Sequence, residues 1–468
     1  MWKNNVRGIK KMKKTTALII SLSLSFIFAF SSGCVSAGNN SSSSSGGEIV
    51  LPEIVTNKTY NSFWMKQFDY KTMPIAAYNG APQKTGDYSV SMITESHYKA
   101  IAESGINTVY GLYERAENNP EEIKAALKLC EKYNLSYVAV GNGLGSFTDI
   151  GLAETSLYQS LIKDKSSALG GLIVKDEPNE KQFLKITQSR QILRELFGKK
   201  YLYHSNLYPN YATNAQLFGG DDYPADYSYE QYVENYCKTY APQILSYDFY
   251  PVHTTYISPD YYVNMSVIRE YAAKYEIPFW TYIQCSSFRK DIKVPDAGEL
   301  RWLVNSSLAY GCKGLQYFTY VDALSSGTER FKGSPIDKNG NKTATYDYIS
   351  EINKFVAKVD EILMCSFSKG VMIAGETPCK IPEKDVLSSY GDLTSVNGES
   401  VLVGCFDYKG KNAYYVVNNS TAGVSGASLT FGGEVSATCY SSSATENKNG
   451  ESLSFDLSAG EAVLVVID

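Results

Sequence analysis

Residues 170–179 read Gly-Gly-Leu-Ile-Val-Lys-Asp-Glu-Pro-Asn, an apolar run that stops at two adjacent carboxylates and a proline. A buried parallel strand reads as a short continuous apolar run, and in a barrel of alternating strands and helices the chemistry lies where such strands end. Asp176 and Glu177 are therefore candidates for a catalytic position. The same residues also suit the start of a helix, where Pro and acidic side chains are favoured. This motif alone does not choose between the two interpretations.

The middle of the chain has a regular alternation of apolar runs and amphipathic stretches. The strand-like runs are residues 74–78, 108–113, 136–140, 171–174, 201–203, 244–247, 278–283 and 314–317. Stretches with helical spacing of apolar residues lie between them, for example 121–133, 182–196 and 300–310. Eight strand and helix pairs predict a (β/α)8 TIM barrel, which we place at residues 65–366.

The periodicity changes after a further helical stretch at residues 346–364. Short β-type runs at 401–406, 413–418, 427–431 and 461–467 are separated by Gly, Asn and Ser. We therefore predict a small C-terminal all-β sandwich domain over residues 367–468.

The first 33 residues are typical of a targeting segment. Six cations and no acid precede an apolar run that ends in Ser-Gly before Cys34. This pattern resembles the lipobox of bacterial lipoproteins, in which the cysteine becomes the lipidated first residue of the processed protein. A tether and lead-in over residues 34–64 begins rich in Ser and Gly. The expectation is a signal peptide at 1–33 and an extracytoplasmic protein held on the cell membrane by a lipid on Cys34.

Composition excludes several kinds of partner. The formal charge is −5, and loss of residues 1–33 would make the chain more acidic by six charges, so a nucleic-acid partner is not expected. The eight cysteines after Cys34 have no CxxC spacing, and the three histidines lie far apart, so we expect no metal site and no disulfide framework. No cofactor motif is present, and the oligomeric state stays open.

Four motifs, taken in order, resemble a known group of enzymes. They are Ile-Thr-Glu at 93–95, Ala-Glu-Ser-Gly-Ile-Asn-Thr-Val at 102–109, Lys-Asp-Glu-Pro at 175–178 and Tyr-Gly-Cys-Lys-Gly-Leu-Gln-Tyr-Phe at 310–318. Their order and spacing resemble bacterial TIM-barrel glycoside hydrolases, particularly family 42 β-galactosidase-like proteins and their unclassified relatives. The resemblance implies carboxylate acid/base catalysis on a carbohydrate, an oligosaccharide or polysaccharide.

The resemblance also implies roles for particular residues. In these enzymes the fourth strand ends in Asn-Glu, where the Glu is the acid/base, and the seventh strand carries a Glu nucleophile. Glu177 would then be the general acid, with Asp176 where Asn is usual. The seventh strand departs from the pattern, because Gln284 stands where Glu is expected and an amide cannot be the nucleophile.

A second carboxylate must therefore come from elsewhere. Asp248 follows the sixth apolar run and precedes an aromatic residue and a proline, so it is the candidate partner of Glu177. Two alternatives remain open. Asp176 itself is the partner and Asp248 orients it, or Asp248 belongs to an ordinary turn.

Six further residues are candidates for substrate contact because they are polar or aromatic and lie near predicted strand ends. Lys175 could donate a hydrogen bond or act as a counter-ion that lowers the pKa of Asp176. Aromatic faces suit the apolar faces of sugars, and a buried Asn or Gln needs polar partners that hydroxyl groups can supply. The full set is Lys175, Asn206, Tyr250, Trp280, Gln284 and Tyr317.

Three classes of function are compatible with these features. The first is a membrane-anchored glycoside hydrolase. The second is a catalytically silent barrel that binds glycans. The third is a solute-binding lipoprotein that serves a transporter, which would have two α/β lobes in place of eight strands and a terminal β-domain.

Overall fold

A computed structural model describes residues 72–84, 88, 90–111, 120–140, 166–325 and 327–468. The predicted signal peptide, tether and lipidated Cys34 lie outside the described residues. Within them, eight parallel strands close into a barrel, each paired with the next in chain order and the last paired with the first. The strands are β1 (Ile75–Ala77), β2 (Thr108–Gly111), β3 (Ser136–Val140), β4 (Leu169–Asp176), β5 (Leu202–Leu207), β6 (Leu245–Tyr247), β7 (Phe279–Gln284) and β8 (Leu315–Phe318).

The predicted TIM barrel is confirmed, and each of the eight apolar runs forms a strand. Four strands continue further than predicted: β4 ends at Asp176, β5 at Leu207, β7 at Gln284 and β8 at Phe318. The added residues of β4 and β5 are mostly polar because this end of the barrel is its mouth. A prediction based on continuous apolar character stops before such residues.

Eight α-helices lie within the described residues, and they surround the barrel or join it to the C-terminal domain. They are α1 (Glu95–Glu103), α2 (Pro120–Lys132), α3 (Phe183–Phe197), α4 (Asn214–Phe218), α5 (Tyr229–Tyr240), α6 (Tyr261–Lys274), α7 (Ala297–Ala309) and α8 (Ala344–Met364). Helix α7 begins at a capping box in which Asp296 accepts from the Glu299 backbone and Glu299 accepts from the Asp296 backbone. None of these described helices combines the length and apolar character that crossing a membrane requires.

Residues 366–468 form the predicted all-β domain. Its strands are β9 (Ser366–Gly375), β10 (Leu393–Asn397), β11 (Ser400–Tyr408), β12 (Lys411–Asn418), β13 (Ser425–Tyr440), β14 (Thr445–Leu457) and β15 (Ala462–Ile467). They make one antiparallel sheet in the order β10-β13-β15-β12-β11-β9, with β14 paired to β13. A register shift between Thr430 and Val435 interrupts the pairing of the long β13–β14 hairpin.

The two faces of this sheet belong to different apolar cores. Leu402, Tyr415 and Leu464 join the core that also contains the barrel and its helices. Val403, Val416 and other residues of the opposite face pack with β10, β13 and β14 in a separate core, so the predicted two-sheet sandwich is a single sheet that contributes to two cores. Strands β9, β10 and β14 were not predicted, and in β14 most side chains are exposed and polar.

Buried polar side chains fix the β-domain to the barrel helices. Asn419 Oδ1 accepts hydrogen bonds from Trp302 Nε1 (2.9 Å) and from the Tyr262 hydroxyl. Nearby, Asn305 donates to Gly460 O (2.7 Å) and accepts from the Tyr415 hydroxyl (2.8 Å). Gly460 has a φ of +65°, and a Cβ there would meet the Trp302 backbone nitrogen at 2.2 Å. These bonds make the junction specific as well as apolar.

We expect Asn419→Ala to lower the free energy of unfolding by about 2–4 kcal/mol, because it leaves two buried donors without their acceptor. Chemical denaturation measures this loss. The exposed Asn449 of the same domain provides the matched control, and Asn449→Ala should change stability by less than about 0.5 kcal/mol. Equal stabilities for the two variants would contradict the importance of Asn419.

Candidate active site

A one-residue bulge in β4 decides which side chain of that strand faces Asn206. Ile173 is opposite His204 on β5, but Lys175 is opposite Ser205 and Asp176 is opposite Asn206, so β4 holds one residue more than β5 over this stretch. Without the bulge, Lys175 would stand beside Asn206. Bulges often redirect side chains next to active sites. Here the bulge places a carboxyl beside Asn206 at the mouth.

Asn206 joins the carboxyls of two strands. Its Nδ2 donates to Asp248 Oδ1 at 2.8 Å, and its side chain also hydrogen-bonds Asp176. The charge of Asp176 also acts directly on Asp248 and raises its pKa beyond the effect of burial. The structure therefore brings Asp176 and Asp248 together across β5.

The environment of this pair favours the protonated state. Burial raises the pKa of Asp176, while the charge of Lys175 and the hydrogen bond from Asn206 act against that rise. Burial also raises the pKa of Asp248, and the neighbouring charge of Asp176 raises it further. Asp248 is only 8% exposed, and the groups that favour its ionised form are hydrogen-bond donors such as Asn206 and Tyr250, in place of a cation such as the Lys175 beside Asp176. Asp248 therefore keeps its proton to a higher pH than Asp176 does.

Tyrosines surround the two carboxyls. The Tyr250 hydroxyl hydrogen-bonds Asp248, and its ring packs on Phe318 with centroids 4.8 Å apart. Tyr282 on β7 lies close enough for both Asp176 and Asp248 to raise its pKa, although burial is the larger cause. The predicted contact Tyr250 thus lies at the carboxyl pair. Tyr282 is an additional member of the site.

Glu177 lies at the same mouth in a different conformation. Its φ is +44°, a left-handed value that is uncommon for a residue with a Cβ and is found at turns and functional sites. Its backbone N–H donates to Asn206 O at 2.9 Å, which ends β4. Tyr211 lies within electrostatic reach of both Glu177 and Asp248. Three carboxylates therefore lie around one opening.

Asp176 and Glu177 do not begin a helix, which was the alternative interpretation of the Asp-Glu-Pro motif. Helix α3 begins only at Phe183, after a 3-10 turn at Glu180–Gln182. Asn179, whose backbone N–H donates to Gln182 Oε1, occupies the position before that turn. Asp176 and Glu177 belong to the end of the strand.

Three predicted substrate contacts lie elsewhere. Gln284 is fully buried, and its amide is used within the fold: it accepts from Val252 N (3.0 Å) and donates to Val252 O (2.9 Å) and Lys293 O (2.8 Å). Tyr317 points away from the barrel interior and donates to Asn353 of α8 at 2.7 Å. We therefore remove both from the candidate contacts.

Trp280 is the third of these residues. It is 1% exposed and packs with Leu202 and Ile244 in a small cluster of its own. A Cβ at Gly314 would lie 2.5 Å from its indole ring, so the glycine leaves the space that the indole needs. Trp280 fills the barrel beneath the mouth and is also removed from the candidate contacts. Lys175 and Asn206 remain beside the carboxyl pair.

The described residues contain no group of three or more His, Cys, Asp or Glu side chains arranged to hold a metal ion. Their eight cysteines are free thiols, and seven of them are buried.

We expect Asp248→Asn to stabilise the protein at neutral pH. An aspartate whose pKa is raised by folding destabilises the folded state as pH rises from the ordinary aspartate value through the raised one, because folding then buries a charge. Asn avoids that charge and keeps an oxygen for Asn206. Thermal unfolding should show a gain of about 2–4 °C at pH 7.5 that disappears near pH 4. Exposed Asp456 is the control, and Asp456→Asn should give no such pH-dependent gain.

Comparison with known proteins supports the fold. No family model and no curated sequence matches the chain. Among solved structures, a β-galactosidase from Bacillus circulans sp. alkalophilus is similar with a TM-score of 0.58 and 8% identity over 86% of this chain and 100% of that one. A noncanonic maltogenic α-amylase from Thermotoga neapolitana (10% identity, 86% and 99% coverage) and a GH27 β-L-arabinopyranosidase from Geobacillus stearothermophilus (11%, 86% and 98%) have TM-scores of 0.48 and 0.44. At 8% identity, the likeness to the β-galactosidase supports the TIM-barrel fold alone.

Proposed function

We propose that this protein is a glycoside hydrolase that cleaves an oligosaccharide or polysaccharide with Asp248 and Asp176 as its carboxyl pair. Glycoside cleavage needs one carboxyl to protonate the leaving oxygen and usually a second to attack the sugar or activate water. The observation that carries the proposal is the single Asn206 amide that holds both carboxyls at the barrel mouth. The mouth, where the strands end, is where barrel enzymes place their chemistry.

The environments of the two carboxyls indicate their roles. Asp248 has the pKa raised by both burial and a neighbouring charge, which suits a general acid that must hold a proton near neutral pH. Lys175 and two hydrogen bonds favour the ionised form of Asp176, which suits a nucleophile. A carboxylate that attacks the sugar directly forms a covalent intermediate, so Asp176 as nucleophile implies retention of the anomeric configuration.

Glu177 is the competing general acid. Its support is the resemblance of the fourth strand to family 42 enzymes together with its place beside Tyr211 at the same opening. Membership of that family stays a prediction. The experiment below distinguishes Glu177 from Asp248.

Exposed aromatic side chains support a substrate of several sugar units. Among the described residues the exposed aromatic side chains are Tyr211, Tyr223 and Tyr256, which are 49%, 37% and 54% exposed. The first two lie between β5 and α5 and the third between β6 and α6, in loops on the mouth side of the barrel. Tyr256 stacks on His253 at 4.3 Å with 7° between the planes, and more than half of its surface remains open. Such rings can pack against the apolar faces of sugars beyond the cleavage point.

A glycan-binding barrel without catalysis is the second candidate. It is favoured by Gln284, an amide committed to the fold at the strand where the resemblance expects a nucleophile. The third class, a two-lobed solute-binding lipoprotein, does not fit a closed eight-stranded barrel.

We expect the purified chain without residues 1–47 to hydrolyse a member of a panel of aryl glycosides and plant or host oligosaccharides. Asp176→Asn and Asp248→Asn should each lower kcat by about 10²–10⁴-fold, because each removes a group that acts in the transition state. Glu177→Gln should cost less than about 10-fold if Asp248 is the acid. Proton NMR of the first product should show the anomer of the substrate.

The matched control is Asp221→Asn, an exposed acid in the loop between β5 and α5, which should leave kcat unchanged. Loss of activity in Glu177→Gln with normal turnover in Asp248→Asn would transfer the acid role to Glu177. Binding of an oligosaccharide without hydrolysis at any pH between 4 and 8 would favour the glycan-binding barrel.

We also propose that the protein is extracytoplasmic and held on the cell membrane by a lipid on Cys34. The support is the basic segment, the apolar run and the Ser-Gly-Cys sequence within residues 1–34. A single lipidated residue followed by a Ser- and Gly-rich tether would let the barrel reach polymeric substrates near the membrane.

For the full-length chain expressed in a bacterial host, we expect Cys34→Ala to block lipidation and shift the protein from the membrane fraction to the soluble fraction, or to leave it unprocessed. Fractionation and mass spectrometry of the N-terminal peptide measure this. Cys365→Ala is the control because that partly buried thiol lies far along the chain. Equal membrane retention of wild type and Cys34→Ala would refute the anchor.

A further inference from the structure

A chain of side-chain hydrogen bonds crosses the barrel interior and ends at Asp248. At its far end, His204 Nε2 lies 3.2 Å from the Tyr110 hydroxyl, which donates to Gln316 Oε1 (2.7 Å). Gln316 Nε2 donates to Ser246 Oγ (2.9 Å), which donates to Asn206 Oδ1 (3.1 Å). Asn206 Nδ2 completes the chain by donating to Asp248 Oδ1 (2.8 Å). The first four of these residues have no exposed surface, and Asn206 is 5% exposed. Water therefore cannot replace a lost partner without entering the core.

The chemistry of the groups gives this chain one direction. The Asp248 oxygen accepts, so Asn206 must present its nitrogen there and its oxygen to Ser246. Ser246 then donates to Asn206 and accepts from the nitrogen of Gln316. The oxygen of Gln316 in turn faces the Tyr110 hydroxyl, which donates to it. Turning any one group around would leave two buried acceptors or two buried donors facing each other.

We propose that Tyr110, Gln316 and Ser246 are positioning residues for Asp248, since their fixed donor direction keeps the nitrogen of the Asn206 amide, and not its oxygen, against the Asp248 carboxyl. They do not touch a substrate. Their consequence for catalysis rests on the function proposed above, whereas their effect on the ionisation of Asp248 does not.

The physical effect follows from what each amide atom stabilises. An amide N–H stabilises the ionised carboxylate, and an amide oxygen can pair only with the protonated form. Burial lowers the pKa of His204 to about 4, so the imidazole at the far end is neutral. Because the Tyr110 hydroxyl donates its proton to Gln316, its oxygen can pair with His204 only through the tautomer that carries the proton on Nε2. A broken chain lets the amide of Asn206 turn for part of the time, which disfavours ionised Asp248.

Other groups also influence Asp248, and the test must leave them in place. The titratable groups that face it are Asp176 from β4, Tyr211 from the loop after β5, Tyr229 from α5, Tyr250 from the loop after β6 and Tyr282 from β7. Lys175 and Glu177 flank Asp176. None of them is changed in the variants below.

The decisive variant is Tyr110→Phe, which is uncharged, nearly the same size and four hydrogen bonds away from Asp248. We expect it to raise the titration midpoint of Asp248 by roughly 0.3–1 pH unit. Carbon-13 NMR of protein labelled at the aspartate carboxyls measures the midpoint, and Asp248→Asn assigns the signal. The basic limb of kcat/KM against pH should move in the same direction.

Ser246→Ala should raise the same midpoint, and Ser246→Thr, which keeps the hydroxyl, should restore it. Because both changes break one chain, Tyr110→Phe should add little in the Ser246→Ala background. Ser246→Ala and Ser246→Thr carry the test alone if Tyr110→Phe does not fold.

Two matched controls lose a buried hydroxyl outside the chain. Tyr203→Phe removes a hydroxyl that donates to Gly198 O at 2.8 Å on the outer side of β5. Thr281→Val removes one that donates to the backbone of its own strand. Both should leave the Asp248 midpoint unchanged, even if they lower stability.

Two results would overturn the proposal: an unchanged Asp248 midpoint in the folded chain variants, or an equal shift in Tyr203→Phe. A shift of the expected kind in a protein that hydrolyses no glycoside would uphold the positioning role and reject only the proposed function. The NMR readout therefore separates the two failures.

Discussion

The mouth of this barrel depends on a single side-chain amide held between two carboxyls. Asn206 has one nitrogen and one oxygen to offer, and the structure uses the nitrogen for Asp248 and Asp176 and the oxygen for Ser246. Burial raises the pKa of both carboxyls, and the charge of Asp176 raises that of Asp248 further, so each holds a proton more readily than an exposed aspartate would. A site of this kind costs stability, which native proteins accept where function requires it.

The fold could be predicted from the sequence because it depends on periodicity. Each barrel strand is a short apolar run, and α8 has Ile349, Ile352 and Val356 at helical spacing and buried. Capping residues also mark helix starts, as Asp296 does at the start of α7. The β-domain was predicted less completely, because in strand β14 mostly polar, exposed side chains leave little apolar pattern to detect.

The site was harder to predict because it depends on the direction of individual side chains. Successive residues of a strand point to opposite faces, so a one-residue error exchanges the barrel interior for the helix layer. Gln316 faces the interior and bonds Ser246, whereas its neighbour Tyr317 faces α8. The bulge between Ile173 and Lys175 is invisible in the sequence for the same reason, and it decides that Asp176 lies beside Asn206. Asp248 and Asn206 could be named because the ends of neighbouring strands meet at one mouth whatever the detailed register.

The amide of Gln284 supports the segment that follows β6. Gln284 forms two hydrogen bonds with the backbone of Val252 and a third with Lys293 O, much as a strand partner would. Val252 lies four residues after Asp248, in the segment that also carries Tyr250. The seventh strand therefore contributes no carboxyl at this position and instead supports the segment after β6 that does. Because all eight strands end around one opening, a carboxyl supplied by the sixth strand can meet one supplied by the fourth through the intervening Asn206.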